Sequence, residues 1–338
     1  MMSSPRLTVL FSSAGRRVGL IECFRQAAGQ LGVELRVVAV DIAPELSAAC
    51  AIADRALRVP KCTAPGFATS IAEIVRDEEV HLVIPTIDTE LPAYAAARVM
   101  LQEGGAWTSV STPSLVNMAR DKLLTARQLE RAGVAVPRTR TLEAALAAPR
   151  HFAGPVTVKP RTGSASIGVR TVGSLEHLEA EVASLAARGE DVVVQEHLDG
   201  PEYTVNLFFD RSGTLRSAVP HRRIEIRAGE VSKARTTCDP RFMNQAERVA
   251  SALEGAVGSV CYQAIDVASD REPLVIELNA RFGGGYPVAH RAGAHFARWL
   301  LEEALGREPS VGGLADWRDG TTMLRYDAAV FLSAASVQ

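Results

Sequence analysis

The sequence predicts an α/β protein: a parallel sheet at the N-terminus, followed by a region of shorter strands and denser turns. Three observations predict it. In the first 115 residues, short continuous apolar runs alternate with helical stretches, the pattern of a parallel sheet covered on both faces. From about residue 137 the runs shorten and turn residues punctuate them more often. The length, 338 residues, exceeds one ordinary domain and suits two or three.

Leu7-Thr-Val-Leu-Phe11 reads as a buried strand, and Ser12 to Arg17 as a polar loop before a helix from about Val18 to Leu31. Leu35–Val40, Leu57–Val59, His81–Pro85 and Trp107–Ser111 are further strand candidates. Loops at the carboxyl ends of such strands are where ligands bind. Two of them are polar, Ser12–Arg17 and Thr86–Glu90. Residues 113–133 read as a helical connector with Asp121-Lys122 near its middle. Val156–Pro160 is a strand carrying Lys159, followed by the small-residue loop Arg161–Gly168 and a return strand, Val169–Val172. A helix is expected over Ser174–Arg188, then strands at Val192–Gln195 and Thr204–Phe209. A basic segment, Pro220–Arg235, precedes a helix over Pro240–Glu254. The strand pair Val260–Val267 and Leu274–Asn279 and a helix near His290–Leu305 complete the reading.

Composition excludes several classes. Lys+Arg is 37 against Asp+Glu 39, a net charge of −2, which argues against nucleic acid as the main partner. Four of the basic residues are lysines (Lys61, Lys122, Lys159, Lys233). In so arginine-rich a background, a retained lysine suggests a need for its compact charge. Five scattered cysteines without a CxxC fit reduced thiols in the cytoplasm. No 18-residue apolar run predicts a membrane span, and the N-terminus lacks the order of a signal peptide.

The most informative stretch is Val275-Ile-Glu-Leu-Asn-Ala-Arg281. On a strand, Glu277 and Asn279 share a face, with Arg281 beyond its end. Carboxylate and amide oxygens side by side suit a hard cation such as Mg2+, and Arg281 suits a phosphate or developing anion. A three-residue hairpin loop at Ser269–Arg271 puts Gln263 opposite Glu277; a four-residue loop puts Asp266 on that face instead. Backbone amides of the Thr162–Gly168 loop, after Lys159, can approach phosphates. The loop is neither a Walker loop, since no Gly-Lys dipeptide exists, nor a dinucleotide fingerprint, since no GxGxxG follows the first strand. Glu196 ends a strand that can offer backbone groups to an adenine, and Glu202 can accept from ribose hydroxyls. No HExxH or GxSxG occurs, and His290 and His295 read as helix surface or core residues.

In order, Asp121-Lys122, Val158-Lys159-Pro160, the small-residue loop, Gln195-Glu196, Gly200-Pro-Glu202 and Glu277-Leu-Asn279-Ala-Arg281 resemble the motif series of ATP-grasp ligases over residues 110–300. Ser13–Arg17, Ile84–Leu91 and Asn279–Pro287 carry a closer resemblance to stand-alone proteins similar to one half of the carbamoyl-phosphate synthetase large chain. The resemblance implies a pre-ATP-grasp α/β domain (residues 1–115), a small lid subdomain with the connector (116–190), and a large α+β subdomain with the metal site (191–338). It implies that Lys122 and Lys159 contact the phosphates and that Ser164, Ser166 and Gly168 belong to a lid over them. Glu196 and Leu198 would line the adenine site, and Glu202 the ribose. Gln263, Glu277 and Asn279 would hold Mg2+ or Mn2+, with Gln263 preferred to Asp266 because the family's carbamoyl-phosphate branch shows that offset. Arg281 and Lys159 would be the catalytic groups, Arg281 steadying an acyl phosphate, and Asn117 and Arg120 would border the site.

The activity implied is ATP-dependent carboxylate–amine ligation through an acyl phosphate, on small-molecule acid and amine substrates, the amine an amino acid, in a chain compatible with a homodimer. Substrate contacts at Arg16, Asp88 or Glu90 and the basic cluster Arg222, Arg223, Arg227, Lys233 and Arg235 extend this expectation. The alternatives are a carbamoyl-phosphate-type enzyme acting on bicarbonate or carbamate, and a nucleotide-binding protein without turnover.

Overall fold

The five strand candidates of the first 110 residues form a parallel sheet: β1 (Arg6–Ser12), β2 (Glu34–Asp41), β3 (Arg55–Arg58), β4 (Leu82–Pro85) and β5 (Trp107–Thr108), in the order β3-β2-β1-β4-β5. This computed structural model describes residues 5–148, 152, 154–163, 168–173, 191–227 and 229–332. Helices α1 (Val18–Leu31), α2 (Ala48–Ala51), α3 (Phe67–Asp77) and α4 (Leu91–Glu103) supply the crossovers. The chain enters at the middle strand, runs to one edge, and returns to the other side of β1. The order therefore reverses between β1 and β4, and the loops after these two strands face a common crevice.

The connector is two helices, not one. α5 (Pro113–Arg120) stops at Asp121, whose extended backbone (φ −102, ψ 105) and carboxylate cap α6 (Lys122–Arg131). Lys122 thus stands at the first position of a helix, facing the next sheet, instead of in mid-helix.

Four antiparallel strands follow: β6 (Thr139–Thr141), β7 (Val156–Pro160), β8 (Arg170–Val172) and β9 (Val192–Glu196), in the order β6-β9-β7-β8. With α7 (Leu142–Ala147) they close a small core of their own, including Ala145, Phe152, Val156, Val172 and Val194. β9 belongs to this sheet, so the expected boundary at 190/191 falls before the strand that completes it. The helix expected over 174–188 lies outside the described residues.

The large antiparallel sheet contains β10 (Glu202–Phe209), β11 (Leu215–Arg227), β12 (Glu230–Thr236), β13 (Gly258–Ile265), β14 (Leu274–Asn279) and β15 (Thr322–Leu324), ordered β14-β13-β10-β11-β12-β15. The basic segment 220–235 is most of its hairpin β11–β12. The helix expected near 290–305 is broken at Gly293, whose φ of +118 favours glycine, into α9 (Tyr286–Ala292) and α10 (Phe296–Ala304). Helix α8 (Pro240–Ser251) is capped by Asp239.

The parallel and large sheets share their cores. Leu10, Val83 and Tyr94 belong to one buried cluster with Val205, Leu207 and Tyr262. Phe11 and Phe24 belong to another with Phe208, Phe282 and Tyr286, and Phe11 and Phe24 meet edge to face at 5.1 Å. Two of the three sheets are thus packed as one body, and the small sheet stands on a separate core.

Candidate active site

The β13–β14 pair sets the centre. Gln263 lies opposite Glu277 and Cys261 opposite Asn279, with a register shift after Gln263 that leaves Ile276 as the extra residue. The strands separate beyond Ile265 and Leu274, so neither short hairpin loop considered from the sequence forms. Asp266 is drawn away: Arg241 grips both its oxygens, at 2.8 and 2.9 Å. Gln263 therefore stands beside Glu277 and Asp266 does not.

Two lysines converge from the opposite side. Lys159, on β7 and 6% exposed, donates to Gln195 Oε1 at 2.8 Å and to the Ile276 carbonyl at 3.2 Å. Gln195 is itself held by Thr139, through a 2.8 Å hydrogen bond from its amide. Burial pushes the Lys159 ammonium down to about 8; Glu277 opposes that shift and Lys122 adds to it. Lys122 donates to the Gly163 carbonyl at 2.8 Å, and burial lowers it too. Asp121 caps α6 with one oxygen and holds Arg161 with the other, at 2.7 Å, while Lys122 N donates to the Arg161 carbonyl at 3.0 Å. The loop after β7 is thus tied to the start of α6. Ser164 and Ser166 lie outside the described residues. Gly168 is described: its φ is +76 and a Cβ there would stand 2.9 Å from the Pro160 ring, so only glycine fits.

A cavity of about 230 Å3 opens between the sheets, lined by Lys122, Lys159, Glu196, Leu198, Glu202 and Glu277 among others. His197 shares that wall and pairs with Thr157 at 3.0 Å. Glu202 is bound by Arg223; burial raises its carboxyl nonetheless, Arg223 working against the shift and Glu277 adding to it. Of the described residues expected at a nucleotide site, Lys122, Lys159, Glu196, Leu198 and Glu202 line this one cavity and Gly168 does not.

A second cavity, about 250 Å3, lies at the switch point of the parallel sheet. Arg16, Arg17 and Asp88 come from the loops after β1 and β4, and Glu230, Asn279 and Arg281 from the large sheet and the loop beyond it. Arg281 donates from Nε and a terminal nitrogen to the same oxygen, Asp88 Oδ2, at 3.0 and 2.6 Å, and to Asn279 Oδ1 at 3.1 Å. Gln263 and Glu277 line both cavities and form their common wall. Arg120 borders a smaller neighbouring cavity with Asp88 and Lys122.

Glu90 is not in the cavity wall. It is fully buried, accepting from Ser12, Ser13 and the amides of Thr86 and Ile87, and so ties the two loops together. Of the basic cluster, Arg223 reaches the cavity; Lys233 pairs with Glu225 and Arg227 with Asp327. Glu230 carries no motif, and sequence reasoning missed it. Its one available signal is its position at the turn of a charged hairpin.

Among the described residues no three His, Cys, Asp or Glu side chains cluster as a metal site. The donor set on β13–β14 is one carboxylate, Glu277, and two amide oxygens, Gln263 and Asn279. Gln263 and Glu277 face the cavity that holds the two lysines, and Asn279 faces the second cavity beside them; three such oxygen donors fit a hard divalent ion that takes its other ligands from phosphate and water.

Residues 119–285 match the model of an ATP-grasp domain, and residues 9–108 that of a PylC-like N-terminal domain. The chain is similar to a D-alanine–D-alanine ligase of Desulforudis audaxviator (strain MP104C), 32% identical over 147 residues, 42% of this chain and 48% of that protein. The chain spans about half the length of that relative. Among solved structures, it resembles the biotin carboxylase domain of 2-oxoglutarate carboxylase from Hydrogenobacter thermophilus, crystallised with MgADP and bicarbonate (TM-score 0.73, 16% identity, 93% of this chain and 73% of that one). It also resembles an L-amino acid ligase from Bacillus licheniformis (TM-score 0.65, 19% identity, 90% of this chain and 75% of that one). The ATP-grasp match covers the strands that carry the shared wall, so residues 119–285 of this chain form an ATP-grasp domain.

Proposed function

We propose that the protein is an ATP-dependent carboxylate–amine ligase. The observation that carries this reading is the wall of Gln263 and Glu277 between two polar cavities. One cavity presents two lysines and the other a set of arginines, so a triphosphate and a carboxylate can meet end to end at that wall. Adenine lies against Glu196–Leu198 and ribose against Glu202. The substrate carboxylate attacks the γ-phosphorus, ADP leaves, and the acyl phosphate forms. An amine then attacks the acyl carbon and phosphate departs.

Carboxylate oxygen is a poor leaving group and phosphate a good one; bringing two anions together is the difficulty. Lys122 and Lys159 offset the phosphate charge in a partly dehydrated site, where fixed charges act strongly. Gln263, Glu277 and Asn279 would hold magnesium, which supplies further neutralisation of phosphate oxygens when bound. Arg281, oriented by Asp88, faces the acyl group. The small sheet, on its own core, serves as the cover that keeps water from the intermediate.

The reading is tested by a phosphate-release screen over pairs of small acids and amino acids with Mg-ATP. The expected result is phosphate and ADP formation that requires both members of a pair, with one amide per ADP. No release with any pair overturns it, and bicarbonate-dependent ADP formation without an amine replaces it with carbamoyl-phosphate-type chemistry.

A further inference from the structure

Glu230, in the wall of the second cavity, is where three arginines meet. Arg325 donates to its Oε2 at 2.7 Å. Arg16 and Arg17 stand 3.8 and 3.9 Å from its Oε1, within ion-pair range but beyond hydrogen-bond length. The other terminal nitrogen of Arg325 donates to the Gly284 carbonyl at 2.7 Å. Burial opposes the Glu230 charge, but Arg17, the Arg325 hydrogen bond and Arg16 outweigh it and hold the carboxyl below its ordinary range.

The backbone delivers Arg325 to this place. β15 pairs with β12 through Lys233–Leu324, Ala234–Met323 and Arg235–Thr322. Arg325 N extends the pairing by donating to the Ser232 carbonyl at 2.8 Å. Residue 325 lies beyond the matched ATP-grasp residues 119–285, so this contact is supplied by the chain's own C-terminal segment.

We propose that Arg325 is a positioning residue that sets the affinity of the second cavity for an anionic substrate group. It occupies Glu230 Oε2 and pins Gly284, which keeps Glu230 from closing onto Arg16 and Arg17. Those two guanidinium groups then remain available to a carboxylate. Without Arg325, Glu230 moves the short remaining distance, forms hydrogen-bonded ion pairs with them, and competes with the substrate for the same cations. The identity of that group as a substrate carboxylate rests on the ligase reading; the competition for Glu230 does not.

Two readouts separate these. Phenylglyoxal labelling of Arg16, mapped by peptide mass spectrometry, needs no substrate: Arg325→Gln is expected to slow labelling several-fold, and equal labelling in the two proteins overturns the proposal whether or not the enzyme turns over. In the kinetic assay, Arg325→Gln is expected to raise the KM of one of the two organic substrates about tenfold, equivalent to about 1.4 kcal/mol, with the KM for ATP unchanged. Arg325→Lys restores part of the affinity. On a Glu230→Gln background the same Arg325→Gln change has no further effect, because the competing anion is gone. A loss of kcat with all KM values unchanged, or an undiminished effect on that background, marks Arg325 as a mere structural contact and overturns the proposal. A wild-type protein that releases no phosphate with any pair overturns the ligase reading, and the labelling then decides the Arg325 proposal alone.

Discussion

Replacing Lys159 by Met keeps the volume of the side chain and removes its charge. The ammonium donates to Gln195 and to the Ile276 carbonyl, which leaves one of its three protons for a phosphate oxygen. A hydrogen bond to a charged group contributes about 1.5–3 kcal/mol, so ATP affinity should fall roughly 10- to 150-fold. Folding should survive: two acceptors lose a donor, but a buried charge is also removed, and these effects oppose each other. The pH dependence has a definite sign. Burial holds Lys159 at about 8 in the folded chain against 10.5 unfolded. Between those values the unfolded chain carries more protons, so this lysine's contribution to stability rises with pH, by about 3 kcal/mol across the window. ATP binding runs the other way. The wild-type advantage over Lys159→Met is full below about pH 8 and shrinks above it, as the free enzyme loses the proton that the triphosphate needs. Calorimetric titration with magnesium and a non-hydrolysable ATP analogue at pH 7 to 10, beside circular dichroism, measures both. Equal affinity in the two proteins, or a ratio that does not change with pH, refutes the placement of Lys159 on the phosphates.

Other outcomes follow from the same geometry. Glu277→Gln combined with Asn279→Ala should abolish ADP production while circular dichroism stays unchanged; undiminished turnover would remove these residues from the magnesium assignment. Gln263→Ala should raise the magnesium concentration needed for half-maximal rate, and Asp266→Asn should leave it unchanged, because Arg241 already holds Asp266. Gly285→Ala should destabilise the fold by about 1–3 kcal/mol in urea titrations, as expected for overpacking. Its new Cβ would stand 2.6 Å from His221 Nε2 and 2.9 Å from Val231. A variant as stable as wild type would show that this loop yields freely.

The parallel sheet was legible because its central strands β1 and β4 are buried on both faces and read as nearly continuous apolar runs, as Leu7–Phe11 does; the edge strand β3, Arg55–Arg58, is largely exposed and carries a weaker signal. The pairing of Lys122 with Lys159 was legible for a different reason: lysine is rare in this chain, and two of its four lysines end beside the same cavity. The hairpin β11–β12 was harder to read. Arg223 and Glu230 line the second cavity, whereas Lys233 pairs with Glu225 and Arg227 with Asp327, and sequence alone presents all of them as one basic stretch. The break at Asp121 was hidden because Asp-Lys fits a helix interior as well as a helix start. The placement of Gln263 beside Glu277 needed a bulge at Ile276, and nothing local to that residue announces one. Glu230 and Arg325 are 95 positions apart and meet through β12–β15 pairing, a contact beyond the reach of any local pattern.

The central claim is that one triphosphate lies between the lysines of the small sheet's side and the oxygen donors of β13–β14. A crystal structure with magnesium and a non-hydrolysable ATP analogue tests it most directly. Phosphates are expected within hydrogen-bonding reach of Lys122 and Lys159, with the ion on Glu277. Nucleotide density elsewhere, with Lys159 still bound to Gln195 and Lys122 to the Gly163 carbonyl, would contradict it.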